Sequence, residues 1–198
     1  MSEIFKINEI FYSLQGEGFY TGVPSVFIRF AGCNLHCPFC DTQHQSGQQM
    51  TVEDICRTVS NFPARHIVLT GGEPSLQVTS QLTEALHKMG KYICIETNGT
   101  HPLPDGIDWI TLSPKDIFIK SPAARPILKA CDELKVVFTG NMPSCDGLDI
   151  KAKYHYLQPC DTGNTAETQK LTRLAVSYCL AHPEWSLSLQ THKYLSIP

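Results

Sequence analysis

The sequence predicts an α/β protein, an open partial (β/α) barrel of about six or seven units on a parallel sheet. Three observations lead there. Short β-branched and aromatic runs alternate with helical patterns, the order that builds parallel sheets with right-handed crossovers. The unusual polar and glycine-rich stretches fall just after those runs, at the strand edge where such folds gather functional groups. The chain has 198 residues, whereas a closed eightfold barrel typically needs ~250. No interdomain linker or low-complexity stretch interrupts it, so residues 1–198 are expected to form a single domain.

The elements follow in order. Residues 4–12 read as a strand, with Ile4, Ile7, Ile10 and Phe11 apolar, and Ser13-Leu14-Gln15-Gly16-Glu17-Gly18 as a glycine-punctuated loop. Ser25 to Phe30 is a strand run leading into a cysteine-rich loop. Thr51 starts a helix, with Asp54 three positions on completing a capping box. His66 to Thr70 is a buried strand ending at Gly71-Gly72-Glu73-Pro74. A helix is expected from Ser75 to Met89, stopped by Gly90. Strands follow at Tyr92 to Glu96 and Ile107 to Leu112, then a short helix near Ile127 to Cys131. Leu134 to Thr139 and Tyr154 to Leu157 are further strands. Thr165 to Ala181 is a helix with Leu171, Leu174, Ala175 and Tyr178 at helical spacing, and Leu187 to Leu189 leads to the tail.

Composition narrows the function. Hydrophobic residues make up 42% of the chain, enough for a substantial core, and the net charge of −3 offers no basic field for nucleic acid. No apolar stretch approaches the ~20 residues that span a bilayer. The first residues carry no signal-peptide pattern, so a cytoplasmic protein is expected. The nine cysteines are odd in number, which argues against a disulfide framework. Cys56, Cys94, Cys131 and Cys179 sit in apolar or helical contexts as small hydrophobes; Cys145 and Cys160 lie in irregular stretches.

Cys33, Cys37 and Cys40 are spaced C-x3-C-x2-C in one loop. Two readings fit. With His36 they could form a Cys3His zinc site. Alternatively they supply three thiolates to a four-iron cluster, leaving one iron open for chemistry. No second C-x2-C pair occurs, and structural zinc sites usually draw on two separated pairs, which favours the cluster. The consecutive glycines of Gly71-Gly72-Glu73-Pro74 let backbone groups approach a ligand closely.

The cysteine loop, with Phe39 before its last cysteine, and the GGEP stretch together resemble the radical S-adenosylmethionine superfamily. Within it the chain resembles the 7-carboxy-7-deazaguanine synthase family along almost its whole length. The matching stretches are SLQGEG at 13–18, FIR at 27–29, CDT at 40–42, LTGGEP at 69–74, ETNG at 96–99, SPK at 113–115, LQP at 157–159 and QTHKYL at 190–195. That resemblance implies a lyase in queuosine biosynthesis. It converts 6-carboxy-5,6,7,8-tetrahydropterin to 7-carboxy-7-deazaguanine and releases ammonia, using a 4Fe-4S cluster, S-adenosylmethionine and Mg2+.

The resemblance also implies roles. Cys33, Cys37 and Cys40 would hold the cluster. Phe39, Cys40, Asp41, Gly72, Ser113, Pro114 and Lys115 would line the cofactor, with Gln158, Pro159, Cys160 and Asp161 near its adenosine. Thr42 would ligate Mg2+ through its hydroxyl, a hard donor suited to that ion. Leu14, Gln15, Gly16, Thr70 and Pro198 would hold the pterin, and Arg29 its carboxylate. Glu17 and Glu96 could orient the guanidine-like edge of the substrate.

Alternatives stay open from the residues. Arg29 could be a salt bridge to Glu96, Thr42 a loop cap, Lys115 solvated surface, and His192 a packed histidine. A glycyl-radical activating enzyme or a non-catalytic metal or redox module are the competing functions. The expected partners are the small-molecule pterin, a second copy in a homodimer and a flavodoxin-type electron donor, with no direct nucleic acid and no membrane.

Overall fold

The structure is a computed structural model and describes residues 3–40, 42, 45–140 and 149–198. The expectations placed on Asp41 and Cys145 fall outside the described residues.

One nine-stranded sheet runs in the order β3-β1-β2-β4-β5-β6-β7-β8-β9. Its members are β1 (Ile4–Leu14), β2 (Pro24–Phe30), β3 (Gln48–Thr51), β4 (His66–Gly71), β5 (Tyr92–Thr97), β6 (Trp109–Leu112), β7 (Ala130–Phe138), β8 (Lys151–Pro159) and β9 (Trp185–Leu187). Every pairing from β2 to β9 is parallel. β1 runs antiparallel to both β2 and β3 and so extends the parallel sheet at one edge. The helices are α1 (Val52–Val59), α2 (Ser80–Lys88), α3 (Thr165–Ala181) and α4 (Thr191–Leu195).

The parallel strands are buried on both faces, as their near-continuous apolar runs require. In β4, Ile67 and Leu69 join the main core with Ile55 of α1 and Leu82 and Leu86 of α2. Val68 points the other way and packs with Phe27, Cys94 and Trp109. Those four residues occupy one register across β2, β4, β5 and β6. They floor the barrel interior near the amino ends of the strands. Two residues further along each strand the same face turns polar: Arg29, Thr70, Glu96 and Thr111. Period-two alternation carries that layer to the carboxyl ends.

Three expectations need correction, and one strand is added to those expected. The expected helix at Ser75–Met89 splits into a 3-10 turn, Pro74–Leu76, and α2. Pro74 and the Glu73 carboxylate cap the turn, and the Thr79 hydroxyl caps α2 by accepting from the Leu82 N–H. No helix covers Ile127–Cys131. There the N–H groups of Ile127 and Leu128 bond to the Gly99 carbonyl, Ile127 is exposed, and β7 already begins at Ala130. Ser13 and Leu14 belong to β1, because their register with β2 continues to Pro24. The short strand β3 pairs with β1 just before the α1 cap at Thr51.

Candidate active site

The polar layer opens into a cavity of about 620 Å³ at the carboxyl ends of the strands, a volume typical of small-molecule sites. The cysteine loop forms one wall. Cys33, Cys37 and Cys40 all line it. The Cys33 sulfur accepts from the Leu35 N–H at 3.4 Å, and the Cys40 N–H bonds to the Cys37 carbonyl at 3.2 Å. Burial pushes the Cys33 and Cys37 thiols up, while Lys115 pulls Cys37 back down. Lys115 donates to the Ser113 hydroxyl at 2.6 Å, and its ammonium stands 5.8 Å from the centre of the Phe39 ring. Burial lowers its pKa, and the Cys37 thiolate opposes that. Lys115 is therefore a cavity residue, not solvated surface.

The glycine-rich turn packs onto this loop. Gly72 donates to the Phe30 carbonyl at 3.0 Å and Glu73 N–H to the Gly32 carbonyl at 2.9 Å. A Cβ on Gly72 would run into the Gly32 carbonyl oxygen, so only glycine fits that approach. Glu73 is buried and ties the turn to the next motif. Its carboxylate accepts from the Thr97 hydroxyl at 2.6 Å and the Asn98 N–H at 2.7 Å.

The lining also carries a network of charges. Lys135 of β7 donates to Glu17 at 2.5 Å and lies 3.6 Å from Glu96. Gln15 donates to Glu96 at 3.0 Å, and the Thr70 hydroxyl reaches the other Glu96 oxygen at 3.3 Å. Gln190 donates to Glu17 at 2.9 Å. Burial disfavours the Glu17 charge, but Lys135 and these hydrogen bonds overcome it and bring its pKa down to about 2. Lys135 is raised in turn, its own burial outweighed by Glu17 and Glu96. Arg29 pairs with Glu9 at 2.7 Å and lies 5.4 Å from the centre of the Phe11 ring. The alternative Arg29–Glu96 bridge is not the pairing seen.

The tail closes one side. Thr191 N–H and hydroxyl both bond to the Gly16 carbonyl at 2.9 Å, His192 packs against Gly16, and the Pro198 carbonyl accepts from Ser13 at 2.9 Å. Leu14, Gln15, Gly16, Arg29, Thr70 and Pro198 all line the cavity, as do Phe39, Thr42, Gly72, Ser113 and Lys115. Gln158, Pro159, Cys160 and Asp161 complete that surface. The Asp161 carboxylate is already held by Lys193 at 2.7 Å. Pro114 is buried beside them and does not line the cavity. Lys135 and Gln190 are site residues to which no sequence motif assigns a role. A lysine inside the apolar run Leu134-Lys135-Val136-Val137-Phe138 was the available signal, since buried lysines are paired or functional.

Among the described residues, no three His, Cys, Asp or Glu side chains converge closely enough to hold a single ion. Three thiols spread along one cavity wall suit a cluster that takes one thiolate per corner. Ser113 and Lys115 line the same cavity as these cysteines.

The sequence matches the Radical SAM superfamily over residues 27–132. It is 52% identical over 192 residues to the 7-carboxy-7-deazaguanine synthase of Bacteroides thetaiotaomicron, covering 97% of this chain and 98% of that one. Its identity to the Haemophilus influenzae enzyme of the same name is 42%, over 98% of this chain and 94% of the relative. The crystal structure of QueE from Escherichia coli superposes with a TM-score of 0.75 at 29% identity, covering 94% of this chain and 93% of that one.

Proposed function

The chain belongs to the 7-carboxy-7-deazaguanine synthase family of the radical S-adenosylmethionine superfamily, and we propose how its cavity divides between cofactor and pterin. It is a radical SAM lyase of the queuosine pathway, forming 7-carboxy-7-deazaguanine from 6-carboxy-5,6,7,8-tetrahydropterin with release of ammonia. Likeness over nearly the full length of both chains sets aside a glycyl-radical activase and a non-catalytic module. The carrying observation is that the cysteine loop and the Lys135–Glu17–Glu96 network line one and the same cavity.

When bound, the 4Fe-4S cluster, S-adenosylmethionine and Mg2+ supply the hydrogen-abstracting radical and a fixed positive charge. The protein's residues bind and orient. In this reading Cys33, Cys37 and Cys40 hold the cluster, and Gly72, Ser113 and Lys115 line the methionine end. Thr42 offers its hydroxyl to Mg2+. Arg29 turns its guanidinium to the pterin carboxylate, for which the planar fork is shaped. Glu96, with one oxygen bonded by Gln15 and the other by Thr70, presents a fixed acceptor to the amine-bearing edge. A single domain over residues 1–198, a homodimer, a flavodoxin-type donor and a cytoplasmic location complete the proposal. No helix among the described residues is long and apolar enough to cross a membrane.

Anaerobic reconstitution with iron and sulfide, then incubation with carboxytetrahydropterin, S-adenosylmethionine, Mg2+ and dithionite, tests the reading. The expected product is a deazaguanine chromophore with release of ammonia. Cluster-replete enzyme that cleaves S-adenosylmethionine but leaves the pterin unchanged would overturn it.

A further inference from the structure

Below the catalytic cavity lies a second, much smaller one, of about 10 Å³, room for roughly one water. Gln15, Glu17, Glu96 and Thr111 line both. Glu133 of β7 lines only the small one and is 2% exposed. Its Oε2 accepts from the Phe19 N–H at 3.2 Å. Its Oε1, like the Trp109 Nε1 that lines the same space, has no partner in hydrogen-bond geometry. Gly18, with φ +66°, fits against this carboxyl group, since a Cβ there would collide with Oε1.

The charges near it do not balance if Glu133 is ionised. Lys135, two residues along the strand, is already shared between Glu17 and Glu96. A third buried carboxylate would have no cation of its own, and an unpaired buried charge is far costlier than a neutral acid. The other titratable groups around it offer no cation at neutral pH. They are Cys131 and Asp132 on β7, Cys94 on β5, His66 on β4, Tyr20 in the loop, and Tyr154 and Tyr156 on β8. His66 is itself biased to its neutral form by burial.

We propose that Glu133 is a protonated positioning residue. It stands as a neutral carboxylic acid under the cavity and anchors the Gly18–Phe19 turn, which holds Glu17 on Lys135. Burial raises the Glu133 pKa and the Glu96 charge adds to that, against Lys135, the Phe19 N–H and the nearby Trp109 indole N–H, which approaches the carboxyl group without reaching hydrogen-bond geometry. The arrangement's meaning rests on the substrate reading above, whereas its spectroscopic test does not.

Infrared spectra of cluster-loaded enzyme, made with 13C-carboxyl glutamate and kept free of oxygen, report the proton directly. The expected result at neutral pH is a protonated-carboxyl band that shifts with the label and with 2H2O, and is lost in Glu133→Gln. Kinetics supply the second readout. Glu133→Gln, which keeps shape and neutrality, holds the pterin KM within about threefold, whereas Glu133→Ala, which frees the turn, raises it about tenfold, equivalent to ~1.4 kcal/mol. Absence of a glutamic-acid band in the labelled wild-type enzyme, or its persistence in Glu133→Gln, would overturn the proposal. Neither spectrum depends on turnover, so failure to form deazaguanine leaves this test intact.

Discussion

Lys135 is 5% exposed and sits between two carboxylates; Arg29 is paired with a Glu9 whose side chain is half exposed. The two cations therefore answer to different energetics. Lys135→Met strands Glu17 and Glu96 without a counter-ion in a buried site, a loss of about 3–5 kcal/mol. For a chain of this length that is a Tm fall of roughly 6–20 °C, measurable by thermal melts monitored by circular dichroism. Arg29→Ala removes a solvent-reached pair worth under about 1 kcal/mol to stability. Its expected signature is kinetic. The pterin KM rises roughly ten- to a hundredfold, the equivalent of one lost charge-assisted contact, with Tm nearly unchanged. The Lys135–Glu17 pair also sets an acid limit. The folded pKa of Glu17 is depressed from 4.5 to about 2. Its contribution to stability is thus complete above 4.5 and is lost as pH falls through that window. An acid titration of Lys135→Met should be flatter there than that of the wild type; identical slopes would remove Glu17 from the account.

At the scale of elements, the turn after β4 and the cysteine loop behave as one unit, because Gly72 and Glu73 bond to the backbone of Phe30 and Gly32. Gly72→Ala forces the Cβ against the Gly32 carbonyl and must shift the loop that presents Cys33. Reconstituted iron per chain and the cluster absorbance should fall in Gly72→Ala; full iron loading would break the link between turn and loop. This coupling was legible only in part. The sequence places both motifs after strands, and the strand-first order, α3 and the capping box at Thr51 and Asp54 are seen as expected. Local periodicity failed where tertiary contacts decide. Leu76 lies in a segment expected to be one helix, yet Pro74 and the two caps at Glu73 and Thr79 cut that segment in two. The segment at Ile127 is tied to the carbonyl of Gly99, nearly thirty residues earlier in the chain. Glu73 is saturated by Thr97, Asn98 and Ser75, a structural role that spacing alone cannot reveal.

Across the whole molecule, the sheet begins and ends on edge strands far apart in order, β3 and β9, and the loop after β1 spans between the two halves. Glu17 reaches β7, Phe19 N–H reaches Glu133, and Gly16 is held by Thr191 at the start of α4. Ser188, just past β9, is the junction. Its buried hydroxyl accepts from the Gly18 N–H at 3.0 Å and donates to Gln158 at the end of β8 at 2.8 Å. One hydroxyl thus connects the first loop to the last two strands, and both partners are themselves shielded from solvent. Ser188→Ala leaves a buried donor and a buried acceptor unmet, together about 2–3 kcal/mol. The loss should be local before it is global, because loops open below the free energy of the sheet. Amide hydrogen exchange at Gly18 and Phe19 is therefore expected to accelerate roughly thirty- to 150-fold in Ser188→Ala, while amides in the middle of β4 and β5 change far less. Pterin KM should rise in parallel, since Gln15 and Glu17 ride on the same loop. Equal acceleration in β4 and at Gly18 would show that Ser188 stabilises the domain as a whole and does not specifically hold the loop across the cavity.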